Sequence, residues 1–82
     1  MENIIVTGGL GFIGLNLISY LTKKKKYFIH NIDNHSLGHT YFNEFLKNDQ
    51  KKLVQNYKLD INKKFQIKNI LKRNNIKKVY NL

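Results

Sequence analysis

The 82-residue sequence predicts an α/β domain built on a parallel sheet of four strands in spatial order 3-2-1-4, with helices on both faces. Three observations predict it. The apolar run Ile4-Ile5-Val6 leads directly into a glycine cluster, Gly8, Gly9, Gly11 and Gly14. A helical apolar pattern follows at once. Strand-like and helix-like stretches then alternate as βαβαβαβ, and right-handed crossovers convert that alternation into parallel order.

Asn3 to Thr7 reads as a strand covered on both faces, because its apolar residues are continuous rather than alternating. From Phe12 to about Lys24, Phe12, Ile13, Leu17, Ile18 and Leu21 recur at helical spacing, with Asn16, Ser19 and Thr22 between them. The run Lys23-Lys24-Lys25-Lys26 complements the negative end of that helix dipole. Tyr27 to Ile32 is the second strand, ending in Asp33. Asn34 to about Asn48 opens as a loop and becomes a short helix through Tyr41, Phe42, Phe45 and Leu46. Leu53 to Leu59 is a third strand, whose Gln55, Asn56 and Lys58 suit a sheet edge. Asn62 is the expected N-cap of a helix from Lys63 to Asn74, with Phe65, Ile67, Ile70 and Leu71 turned inward and Asn75 closing it. Lys77 to Leu82 forms the fourth strand. The whole is a partial Rossmann-type, doubly wound sheet. A complete dinucleotide fold continues beside the fourth strand, so that strand's outer edge is expected to be exposed and open to self-association or a partner chain.

The glycines carry the chemistry. Gly8, Gly11 and Gly14 stand three residues apart, and Gly9, Gly11 and Gly14 also satisfy G-x-G-x-x-G. A strand that must reverse sharply, let its backbone approach a pyrophosphate and pack a helix start on the sheet needs glycine at such positions. The free amides and positive dipole end of that helix then face the anion. Asp33 lies nineteen residues beyond Gly14, the spacing at which an acid ending the second strand accepts hydrogen bonds from the adenosine ribose. Such a carboxylate repels a 2′-phosphate, which favours NAD over NADP. The alternative for Asp33 is an ordinary turn aspartate before Asn34.

Composition narrows the remaining classes. With no cysteine there is neither a disulfide nor a thiolate metal site, and His35 and His39 lack a third ligand at zinc spacing. No stretch approaches the roughly 20 apolar residues of a membrane span, and the start lacks the basic and apolar regions of a signal peptide, so the cytoplasm is expected. The formal charge is +10, but fourteen of the fifteen basic residues are lysine and only Arg73 supplies a planar fork. A solvated lysine-rich surface accounts for this better than nucleic-acid binding.

Taken together, Asn3-Ile4-Ile5-Val6-Thr7-Gly8-Gly9-Leu10-Gly11-Phe12-Ile13-Gly14, Ile32-Asp33-Asn34 with Ser36 and Gly38, Leu59-Asp60-Ile61, and Val79-Tyr80-Asn81-Leu82 resemble the N-terminal part of the extended short-chain dehydrogenase/reductases, within them the NAD-dependent nucleotide-sugar epimerases and dehydratases. The resemblance implies that Gly8, Gly11 and Gly14 form the pyrophosphate turn, with the backbone of Phe12 and Ile13 facing the phosphates. It implies that Asp33, Asn34 and the loop from Ser36 to Gly38 hold the ribose, and that Asp60 and Ile61 border the adenine. Packing alternatives exist: Phe12 and Ile13 also fit a core helix face, and Asp60 a strand-end turn.

Members of that family continue with a catalytic Tyr-x-x-x-Lys and a sugar-nucleotide domain. Tyr20 and Lys24 match the tetrad spacing, but on the first crossover helix, where no nicotinamide would lie. The expectation is an NAD-binding portion, inactive alone, of an enzyme that transiently oxidises a sugar carbon. The alternative is a non-catalytic nucleotide-binding or interaction module.

Overall fold

A computed structural model of the chain describes residues 1–8, 11–34, 40–60 and 62–81. Its sheet has the order β3-β2-β1-β4, formed by β1 (Glu2–Thr7), β2 (Tyr27–Asp33), β3 (Val54–Lys58) and β4 (Ile76–Asn81). All three pairings are parallel, as the alternation of elements predicts. The connections are α1 (Phe12–Lys23), the pair α2 (Thr40–Phe45) and α3 (Asn48–Lys51), and α4 (Lys64–Asn74).

Strand side chains alternate between faces, and two cores result. On one face Ile4, Val6 and Ile29 pack with Leu15, Ile18 and Leu21 of α1 and with Phe42 and Leu46. On the other, Ile5 and Ile32 pack with Ile70 of α4, flanked by half-buried Tyr57, Leu59, Ile67 and Ile76. Burying each such aliphatic side chain stabilises the fold by about 1.5–3 kcal/mol. This double coverage explains why Ile4, Ile5 and Val6 read as one unbroken apolar run.

Several local expectations need correction. Phe12 and Ile13 do not join the core: they are 83% and 72% exposed. The buried side of α1 is instead Gly14, Leu15, Ile18, Ser19, Leu21 and Thr22. On α4 only Ile70 is buried, while Phe65 and Leu71 face solvent at 75% and 38% exposure. Asn62 is not the N-cap of α4; Lys63 occupies that position and no side chain caps it. Asp60 organises the approach instead, accepting the Asn62 amide on Oδ1 at 2.9 Å and the Lys63 amide on its carbonyl at 2.9 Å. Asn75 does close α4, in the left-handed conformation with φ 48°.

Helix α3 was not anticipated. Its sequence, Asn-Asp-Gln-Lys, has no apolar periodicity, and tertiary hydrogen bonds hold it. Gln50, buried, donates to the Ser19 carbonyl at 3.3 Å and to Thr22 Oγ1 at 3.1 Å on α1, while its Oε1 accepts the Lys47 amide at 3.0 Å.

Candidate nucleotide-binding site

In parallel sheets, ligands collect outside the carboxyl ends of the strands, and the sequence-predicted residues converge there. Gly8 follows β1 directly. It adopts φ 71°, a left-handed conformation costly for any residue with a Cβ. Its amide donates to the Ile32 carbonyl at 2.9 Å, and its carbonyl accepts the Gly11 amide at 3.2 Å. The bend is thus stitched to the end of β2, one residue before Asp33.

Gly11 is the N-cap of α1, with extended backbone and no side chain to cap the helix. The first intrahelical bond runs from the Leu15 amide to the Gly11 carbonyl, 2.9 Å. The amides of Phe12, Ile13 and Gly14 therefore precede the hydrogen-bonded ladder, at the positive end of the helix dipole. Gly14 is buried against the sheet, where a larger residue would hold the helix start away.

Asp33 is the last residue of β2, half-buried, and Asn34 beside it is exposed. Asp60 lies just beyond β3 and is exposed, with one carboxylate oxygen engaged by the Asn62 amide. Ser36 and Ile61, and with them Gly38, His35 and His39, lie outside the described residues. The structure therefore brings Gly8, Gly11, Phe12, Ile13, Gly14, Asp33, Asn34 and Asp60 to one end of the sheet.

Residues 5–82 match the family model described as GDP-mannose 4,6 dehydratase. The chain belongs to this family. Among curated proteins none matches the chain in sequence. Solved structures of nucleotide-sugar enzymes superpose on it. A dTDP-glucose 4,6-dehydratase from Bacillus anthracis str. Ames, determined in complex with NAD, superposes with a TM-score of 0.84 at 25% identity, over 100% of this chain and 26% of that one. A UDP-glucose 4-epimerase from Thermotoga maritima, determined with UDP-glucose, gives a TM-score of 0.73 at 27% identity, over 99% of this chain and 24% of that one. The chain thus spans about a quarter of the length of either enzyme. The likeness to the N-terminal part of the extended short-chain dehydrogenase/reductases and the Rossmann-type sheet are both borne out.

Within this dehydratase-family fold, Tyr20 and Lys24 form a surface pair. The Lys24 ammonium sits 4.6 Å from the Tyr20 ring centroid, a cation–π contact between an exposed α1 residue and the exposed C-cap of that helix. That places the charge on the ring face, at the helix end remote from the glycine bend. Among the described residues no three His, Cys, Asp or Glu side chains group to hold a metal ion, and no helix is long and apolar enough to cross a membrane.

Two polar features escaped the sequence reading. Thr7 Oγ1 donates to Asn81 Oδ1 at 2.7 Å and so ties the carboxyl end of β1 to that of β4. The order 2-1-4 was the available signal, since it makes two strand-terminal polar residues neighbours. The second is His30, buried in mid-β2 on the α4 side, with Nε2 3.1 Å from Asn3 Oδ1 and Nδ1 3.0 Å from the Tyr57 hydroxyl. Asn3 Oδ1 can only accept, so Nε2 carries the proton and Nδ1 accepts from Tyr57. Burial lowers the His30 pKa below its ordinary value and raises that of Tyr57, against which the Arg73 charge pulls weakly downward. Three residues short of the strand end, this group is a cross-strand tie and lies away from the nucleotide-binding end.

Proposed function

We propose that these residues form the adenosine-diphosphate half of an NAD site and are the N-terminal portion of the dinucleotide-binding domain of a nucleotide-sugar epimerase or dehydratase. One observation supports the reading: the Gly8–Ile32 hydrogen bond ties the glycine bend that leads into α1 to the end of β2, one residue before Asp33. The residues fit the cofactor, because Gly11 leaves the helix start without a side chain where a pyrophosphate would sit.

In this reading Gly8, Gly11 and Gly14 shape the turn, and the amides of Phe12 and Ile13 donate to phosphate oxygens. Asp33 accepts from the ribose hydroxyls, with Asn34 and Ser36 completing that contact. Asp60 and Ile61 border the adenine, with Asp60 offering the carboxylate oxygen that its own turn does not use. Bound NAD supplies a hydride acceptor for a sugar carbon. These residues bind and orient it, and the groups that act on the sugar nucleotide belong to other parts of the parent enzyme. The 82 residues alone turn over no substrate. Kinship with a dehydratase solved with NAD and an epimerase solved with UDP-glucose supports the assignment.

Isothermal titration with NAD tests it. Saturable binding by the wild type, weakened at least about tenfold by Asp33→Ala or Gly11→Val, is the expected result, a loss of about 1.4 kcal/mol or more. Undiminished binding in both variants would remove the site.

A further inference from the structure

We propose a second anion site, separate from the nucleotide-binding end: a cleft at the amino-terminal end of the sheet in which Lys25, Lys26 and Lys78 bind a soluble oligophosphate, an anion of two or more linked phosphates.

The cleft has a volume of about 660 Å³ and is lined by Met1, Glu2, Lys25, Lys26, Tyr27 and Lys78. Three separate segments build it. Glu2 opposes Tyr27 across β1 and β2, and the Glu2 amide donates to the Lys26 carbonyl at 3.0 Å, which holds the turn after α1 against the start of β1. Lys78 arrives from β4 through a register shift, for Asn3 opposes Ile76 but Ile4 opposes Lys78. Residues opposed across a sheet share a face. Lys78 therefore lies on the α1 side with Ile4, and Tyr80, two residues on, packs against the α1-side core. Without the shift Lys77 would oppose Ile4, and Lys78 would fall on the α4 side.

The charge gathered here exceeds what the fold requires. Lys23 in the last turn of α1 and Lys24 at its C-cap already complement the negative end of the helix dipole. Lys25 follows them in the left-handed conformation, φ 56°, at the position after a helix where glycine is favoured because a Cβ is unfavourable there. A lysine thus stands where glycine would fit with less strain. What glycine lacks is the exposed ammonium. Lys26 follows, with its ammonium 5.5 Å from the ring centroid of half-buried Tyr27, which seats that charge against the cleft lining. Three lysines meet one carboxylate, Glu2, around the cleft, and an anion among them offsets their mutual repulsion. Lysine is a compact point charge rather than a planar fork, which suits the dense charge of linked phosphates. The volume falls in the range of small-molecule sites, about 300–1,000 Å³.

Isothermal titration with inorganic tripolyphosphate at about 0.15 M salt tests the proposal. The proteins are wild type, Lys25→Gly with Lys78→Gln, Lys68→Gln with Lys72→Gln, and Gly11→Val. The second lysine pair removes equal charge from exposed positions of α4, and Gly11→Val obstructs the nucleotide-binding end. The expected result is one-to-one binding by wild type, weakened about tenfold or more in Lys25→Gly with Lys78→Gln and altered less than about threefold in the other two. Lys25→Gly alone should melt at the wild-type temperature or above it. Absence of wild-type binding at millimolar anion, equal weakening by the two lysine pairs, or equal affinity for a hexaglutamate peptide overturns the proposal. Weakening confined to Gly11→Val places the anion at the glycine bend, and a lower melting temperature for Lys25→Gly shows that this lysine serves the fold; either result overturns it as well.

Discussion

Gly8 and Ile32 are joined by a 2.9 Å backbone hydrogen bond from the glycine amide to the isoleucine carbonyl. The donor follows the first strand and the acceptor immediately precedes Asp33. A left-handed bend after β1 is therefore held against the end of β2, the strand that Asp33 terminates. The conformation of Gly8, φ 71°, is what allows the chain to make this contact and still turn into α1.

Gly8→Ala should cost about 1–2 kcal/mol of stability, because a Cβ in the left-handed region meets the following carbonyl. Gly8→Asn should cost less, since asparagine visits that region more readily. Urea denaturation of the two variants checks the order, and equal stability of alanine variant and wild type would show that the bend imposes no such demand.

His30 makes stability depend on pH. Its folded-state pKa lies below the ordinary 6.5 because burial disfavours the cation. Below pH 6.5 the unfolded chain binds the proton first, so stability is greatest above that value and falls as pH drops toward the folded-state pKa. Urea midpoints measured from pH 7.5 to 5 should fall accordingly. In His30→Gln that fall should be reduced; an unchanged slope would assign the pH dependence elsewhere.

The two sides of α4 should respond oppositely to truncation. Ile70, 3% exposed, is expected to cost about 2–4 kcal/mol on change to alanine, whereas Phe65, 75% exposed, should stay within about 0.5 kcal/mol on change to serine. Thermal unfolding of both variants makes the comparison. A large loss in Phe65→Ser would mean that α4 packs through another face.

Gln50 is the clamp of α3. It is 5% exposed and bonds to both Ser19 and Thr22 on α1. Gln50→Ala leaves the Lys47 amide without its acceptor and should cost about 1–3 kcal/mol by chemical denaturation. A neutral effect would show that α3 contributes no stability.

These residues also show how far the sequence could be read. Strand order, parallel sense and the glycine bend were legible because Ile4-Ile5-Val6, the glycines and Asp33 obey local patterns with one physical solution. Phe12 and Ile13 misled as core residues because the first turn of α1 starts beyond the end of β1, where helical periodicity no longer implies a sheet beneath. Phe65 and Leu71 misled for a related reason: α4 buries only a narrow stripe, through Ile70 with Ile67 half-covered. Helix α3, the His30 bridge to Asn3 and Tyr57, and the cleft that joins Lys25 and Lys78 all depend on contacts between segments distant in the chain. No local pattern announces such contacts. Asp60 displaced Asn62 as the organiser of the α4 approach because its side chain and its carbonyl serve two successive amides at once.

The most direct test of the central claim is the thermal unfolding midpoint of the purified chain as NAD is added. A ligand that binds the folded state at one hundred times its dissociation constant adds about 2.7 kcal/mol. The midpoint should climb steadily with NAD in the wild type and climb markedly less in Gly11→Val. A wild-type midpoint that does not move at millimolar NAD, in a chain that unfolds cooperatively, would contradict the claim.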